Sequence, residues 1–98
     1  MKLIRQGDVL LKEVEKTRGQ RQKQKDVVLA EGEVTGHKHV LTGQVLVSEF
    51  KGNKYVELTE TSSLTHQEHD DLEIPRGKYQ VILQREADLL GEVRQVMD

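Results

Sequence analysis

The sequence predicts a mainly β chain, a small β-barrel or sandwich with a short C-terminal helix. Three observations carry that reading. Apolar and polar residues alternate in several short runs, most clearly over residues 44–50 and 78–85, and a period of two marks a half-buried strand. Turn residues divide the runs at Gln6-Gly7-Asp8, Thr42-Gly43-Gln44, Gly52-Asn53 and Ile74-Pro75-Arg76-Gly77, the punctuation of an all-β domain. Only the tail changes period, with Leu89, Leu90, Val93, Val96 and Met97 at helical spacing behind Asp88 as N-cap.

Taken in order, residues 2–5 form a short apolar-polar stretch and residues 8–15, with Val9, Leu10, Leu11 and Val14, a strand. Residues 26–30 supply a short β-branched run, Val27-Val28-Leu29, which is expected to pair with residues 8–15 as a hairpin with a long loop. Gly36 precedes a strand over His37-Lys38-His39, where a positive φ or a close backbone approach is expected. Residues 44–50 and 54–60 flank the Gly52-Asn53 turn, with Val56 and Leu58 on one face. Pro75 sits at an inner turn position before the strand over 78–85, whose Tyr79, Val81 and Leu83 share a face. Gly91 weakens the tail helix by about 1 kcal/mol, so that helix needs docking to form.

At 98 residues the chain, 1–98, is a single β-rich domain with a thin core. Hydrophobic residues make up 35%, and Phe50, Tyr55 and Tyr79 are the three aromatics. A homo-oligomer is expected, because a partner copy supplies burial that such a chain lacks. With no cysteine, disulfides and thiolate ligands are excluded, and any metal must use His, Asp or Glu. No run is long enough to span a bilayer, and the N-terminus has no apolar leader, which points to a soluble cytoplasmic protein and no membrane partner. The net charge of −2 conceals a basic segment, residues 16–25, with five basic and no acidic groups, while the remainder carries a net −7. That segment reads as a mobile basic loop, and it could meet RNA. No aromatic residue interleaves its charges as a stacking platform requires, so a solvated loop is the plainer reading.

The four histidines fall in two motifs, His37-Lys38-His39 and His66-Gln67-Glu68-His69. On a strand, His37 and His39 share a face with Cβ atoms about 6.5–7 Å apart, and imidazoles at that spacing can converge on one ion. A loop-borne second pair completes such a site. The expected metal ligands are therefore His37, His39, His66 and His69, for a divalent metal: Zn first, with Ni, Mn and Fe open by ligand softness. Three neutral histidines around Zn leave a position for water that titrates near 7. Glu68 and His69 are the expected catalytic pair, orienting substrate or acting as general base. Glu33 and Glu86 are further carboxylate candidates, although a single glutamate is more often a solvated surface charge.

Three functions follow from those residues. The first is a metal-dependent enzyme that activates water for hydrolysis or hydration of a small molecule. A metal-independent ribonuclease is the second, with histidines as general acid and base and Lys54, Arg76 or Arg85 stabilising developing charge. Lys38 should point away from the histidine face, and Tyr79 is a core residue before it is a donor. A non-catalytic metal-binding or pH-sensing module is the third.

Two resemblances accompany this reading. The segments Gly32-Glu33-Val34-Thr35-Gly36-His37-Lys38-His39, Leu64-Thr65-His66-Gln67-Glu68-His69 and Ile74-Pro75-Arg76-Gly77-Lys78-Tyr79 resemble a small uncharacterised family of bacterial and phage proteins, which implies no function. His37-Lys38-His39 and Pro75-Arg76-Gly77 also resemble the motifs of cupins, metal-holding β-barrels. Gln44 stands near the place of the cupin glutamate and Gln80 in that of the second-motif histidine. The likeness therefore extends to the barrel, and to the metal arrangement only as analogy.

Overall fold

Strands form where the alternating runs stand: β1 (Leu3–Gln6), β2 (Val9–Glu13), β3 (Gln22–Glu31), β4 (Lys38–Phe50), β5 (Asn53–Leu58), β6 (Ser62–Thr65), β7 (Leu72–Ile74) and β8 (Gly77–Leu83). The computed structural model describes residues 2–32 and 35–84. The expected C-terminal helix, Glu33, Arg85 and Glu86 lie outside the described residues. All pairings are antiparallel and join in one sheet of order β1-β2-β8-β5-β4-β6-β7, with β3 on β4. The sheet curls into a nearly closed, barrel-shaped wall, the mainly β architecture that the alternation implies. Among the described residues no helix is long and apolar enough to cross a membrane.

The inward faces make one core. Val9 and Leu11 of β2, Leu41, Val45 and Val47 of β4, Val56 and Leu58 of β5, Leu64 of β6, Ile74 of β7 and Tyr79 and Val81 of β8 pack together. Val56 and Leu58 share the face that their spacing implies, as do Tyr79 and Val81.

β4 is the spine. β3 lies along one of its sides from Gln22↔Val47 to Glu31↔Lys38. On the other side β6 pairs at Val40 and Leu41, and β5 takes over from Leu46 to Phe50. Where that second side changes partner, Ser62 Oγ donates to Thr42 O, and Thr42 Oγ1 donates to Ser63 O at 3.2 Å. Here Thr42-Gly43-Gln44 is not the expected turn but the middle of a thirteen-residue strand. Gly43 (φ 84) and, across the ladder, Asp26 (φ 54) absorb the irregularity, and Gly43 N donates to Asp26 Oδ1 at 2.8 Å. That bond keeps the strand intact where its sequence invites a break.

Other expectations shift as well. Residues 8–15 and 26–30 do not pair as a hairpin: β2 lies between β1 and β8, and β3 lies on β4. With ten residues, β3 finds along β4 a ladder for its whole length, which satisfies its backbone groups better than the five residues of β2 would. It begins at Gln22, so the last four residues of the basic segment are strand rather than loop. The tight turn after β4 centres on Lys51 (φ 51) and Gly52 (φ 79), one residue earlier than Gly52-Asn53, because a type I′ hairpin needs positive φ at both central positions.

Tyr79 is fully buried and its hydroxyl donates to Pro75 O at 2.7 Å, holding the corner between β7 and β8. Burial pushes this hydroxyl above the usual tyrosine range, and the charge of Glu13, its cross-strand neighbour on β2, pushes the same way. A raised folded-state pKa means stability is fully present below the unfolded value of about 10 and is lost as pH rises above it. Tyr79→Phe should cost about 1 kcal/mol in urea unfolding at neutral pH and make the alkaline loss shallower. An unchanged alkaline limb would remove Tyr79 as its source.

Candidate functional site

Three connections meet beside the start of β4, and each brings polar side chains. The first is the β1–β2 turn. Gln6 pairs with Val9 across Gly7-Asp8, and Gly7 (φ 59) occupies the first turn position, where a type II′ hairpin wants glycine. This turn leaves Gln6 (3% exposed) and Asp8 (3%) buried. The second is the approach to β4, where Gly36 has φ 72 with open space around it, so its role is conformational rather than a close approach. The third is the link from β6 to β7, which carries His66 to His69. It is tied to β4 by Gln67 Oε1, which accepts from Lys38 N at 2.8 Å.

These connections bring the four imidazoles together. Ring centroids are 4.2 Å apart for His39–His66, 4.6 Å for His66–His69, 5.6 Å for His37–His66 and 5.9 Å for His39–His69. Depth separates them: His39 (2% exposed) and His66 (7%) are buried, whereas the side chain of His37, one residue before β4, is 30% exposed. Lys38 is exposed, as alternation requires.

Hydrogen bonds set the state of each ring. Gln6 Nε2 donates to Leu64 O and Asp70 O, both at 2.9 Å, which fixes its Oε1 as the acceptor. His39 Nδ1 lies 2.9 Å from that oxygen and must therefore carry a proton. Its other nitrogen, Nε2, stands 3.3 Å from Asp8 Oδ1. His66 is the reverse case. Its Nδ1 accepts from Glu68 N at 3.0 Å, so the neutral ring carries its proton on Nε2. His37 Nδ1 is 2.6 Å from Glu68 Oε1, an arrangement that protonates Nδ1 and leaves Nε2 as the basic nitrogen. His69 Nε2 is buried without a hydrogen-bond partner among the described residues.

Among the described residues no three His, Asp or Glu side chains are placed so that they could hold a metal ion. The other candidates lie apart or are otherwise engaged. Tyr79 belongs to the core, Lys54 Nζ donates to Val28 O at 3.4 Å, and Arg76 is exposed. The basic segment acquires an aromatic neighbour that its sequence lacks: Arg18 and Lys51 lie 5.7 and 5.4 Å from the ring centre of Phe50. Gln6 and Asp8 escaped the sequence reading because Gln-Gly-Asp looks like an ordinary polar turn. The available signal was a carboxylate set directly against Val9-Leu10-Leu11.

The tautomers are directly measurable. Long-range 1H–15N spectra at about pH 8, where an ordinary histidine is neutral, should show His39 protonated at Nδ1 and His66 at Nε2. In Gln6→Leu the His39 preference should disappear. The same tautomer on both rings of the native chain would contradict this network.

No curated protein and no solved structure matches the chain. The family model described as a domain of unknown function, DUF8820, matches residues 5–84, from β1 through β8 and including every histidine, and the chain belongs to that family.

Proposed function

We propose that the chain is a metal-dependent enzyme in which histidines hold a divalent cation, Zn first and Ni, Mn or Fe next, for hydrolysis or hydration of a small molecule. The observation that carries this reading is the bond from His39 Nδ1–H to Gln6 Oε1. Metal-ligating histidines are held in this way by a partner on the second nitrogen, which turns the first toward the ion. Ring spacing supports it. Two imidazoles bound to one tetrahedral ion through Nε2 have centroids about 5 Å apart, and the rings of His39 and His69 stand a little wider, at 5.9 Å, with that of His66 at 4.2 and 4.6 Å from them.

The tautomers divide the roles. His39, and His69 with its buried Nε2, are the imidazole ligands. His66 presents Nε2–H instead and donates a hydrogen bond to a substrate oxygen. His37, half-exposed and oriented by Glu68, takes up or returns a proton at the mouth of the site. The cation would supply a water acidified to near neutrality. In this proposal Glu68 acts with His37, whose ring it contacts, where the sequence alone pairs it with His69.

The His37–Glu68 pair also favours a second reading, metal-independent cleavage of RNA, with His37 as base and His66 as acid. Elemental analysis of untagged protein, purified without chelator, separates the two. Near-stoichiometric metal that is lost in His39→Ala is the expected result. Equally low metal in both proteins after reconstitution with Zn, Ni, Mn and Fe would overturn the metal reading, and RNA cleavage that persists in EDTA would establish the second.

A further inference from the structure

We propose that the outer face of β2, β8, β5, β4 and β3 binds single-stranded nucleic acid, with lysines on the phosphates and Phe50 under a base. The inference is independent of the metal reading and uses no histidine. Register defines the face. Leu11, Val45, Val47, Val56, Tyr79 and Val81 point into the core, so the residues between them along each strand point outward. At these outward positions Lys23 stands opposite Leu46, Leu46 opposite Glu57, and Glu57 opposite Lys78, a row across four neighbouring strands. At about 4.8 Å per strand, the row sets its two lysines about 14 Å apart. Lys25, opposite Gln44, and Lys12, opposite Gln80, widen the patch on either side.

The patch carries one sign of charge. Among the outward residues of that row and of the rows beside it, Glu57 is the one carboxylate, and Arg21 is bound to it at 2.6 Å. Lys12, Lys23, Lys25 and Lys78 take part in no ion pair among the described residues. The connection from β2 to β3 adds Lys16 and Arg18 against Glu15. It is seated on the sheet: at Gly19 (φ 88) a β-carbon would collide with the carbonyl oxygen of Glu49. Next to this contact Arg18 lies 5.7 Å from the ring centre of Phe50, and Lys51 lies 5.4 Å from it.

The ring decides which polyanion fits. Phe50 is 37% exposed, and its outward position places it on the same face as Leu46 and Ser48. An exposed aromatic with cations beside it is a stacking position: the ring takes the π-face of a base, and the cations take the adjoining phosphates. Single strands present such unstacked bases to a sheet surface. A duplex keeps its base faces covered, and an acidic protein surface would match the charge but give the ring nothing to stack on. The chain as a whole is acidic, with a net charge of −2, so a polyanion is drawn to this face in preference to the rest of the surface.

The test is fluorescence anisotropy in EDTA with labelled single strands of about 12 nucleotides, RNA and DNA, and with a DNA duplex. The DNA strand has no 2′-hydroxyl to support cleavage, so it reports binding apart from any turnover at the histidines. Native protein should bind both single strands, with log K falling against log salt at a slope of about −2 to −4, about 0.7 for each phosphate contact. Lys23→Ala/Lys25→Ala should weaken binding and make that slope shallower by about 1.4. Phe50→Ala should weaken it about 10-fold and leave the slope unchanged. All three side chains are exposed, so the variants should keep the native Tm; Lys23→Gln/Lys25→Gln and Phe50→Leu replace any that does not. Failure of native protein to bind either strand at about 50 mM salt overturns the proposal. So does native affinity in the lysine variants, which places the contact elsewhere. Equal binding of the duplex, with Phe50→Ala without effect, overturns it too and leaves a general polyanion surface. The metal reading survives each of these results, because no residue changed here belongs to the histidine site.

Discussion

One side-chain amide holds this molecule together at its most demanding point. Gln6 lies on β1, the first strand of the sheet order, and donates to Leu64 O of β6 and Asp70 O before β7, at the opposite end. The sheet has no β1–β7 ladder among its described pairings, and Gln6 bridges the gap that remains. Its oxygen is then left for His39 Nδ1. A single amide therefore closes the wall and sets the tautomer of the deepest histidine. The two tasks are coupled because an amide offers two donors and an acceptor in fixed geometry.

The rest of the site depends on β4 in a similar way. β4 delivers His39 into the interior and keeps Lys38 outside by simple alternation. Its partner change, from β6 to β5, places the β6–β7 link directly over its first residues. Gln67 fastens that link to Lys38 N, and Glu68 joins it to both motifs, through its backbone to His66 and through its carboxylate to His37. Asp26 and Gly43 preserve the ladder through the middle of the strand.

The distribution of polarity is equally informative. In a chain of 98 residues, each buried polar group displaces apolar area that a thin core needs. Yet Gln6, Asp8, His39 and His66 are all buried and contiguous, while Val9, Leu11, Leu41 and Leu64 pack beside them. Such a concentration opposes folding unless each buried polar group finds a partner. Partners of this kind also set the opposed tautomers of His39 and His66, neighbouring rings held in different protonation patterns by Gln6 and by the backbone of Glu68.

By itself the sequence determined the fold class and most of the strands, because period-two alternation and turn chemistry are local properties. Val56 with Leu58, Tyr79 with Val81, and the Pro75-Arg76 corner were all legible in this way. It also singled out both histidine motifs, whose pairing on a strand and a loop is a matter of spacing. Only the tertiary structure decided the strand partners, since ladder length and the Asp26–Gly43 contact are non-local: β3 joined β4, and the apparent turn at Gly43 remained strand. It alone drew Gln6 and Asp8, more than thirty residues from His39 in the chain, to its two ring nitrogens at 2.9 and 3.3 Å. Sequence spacing names the imidazoles. Which of their nitrogens carries a proton depends on the atoms opposite, and only the closed barrel supplies those.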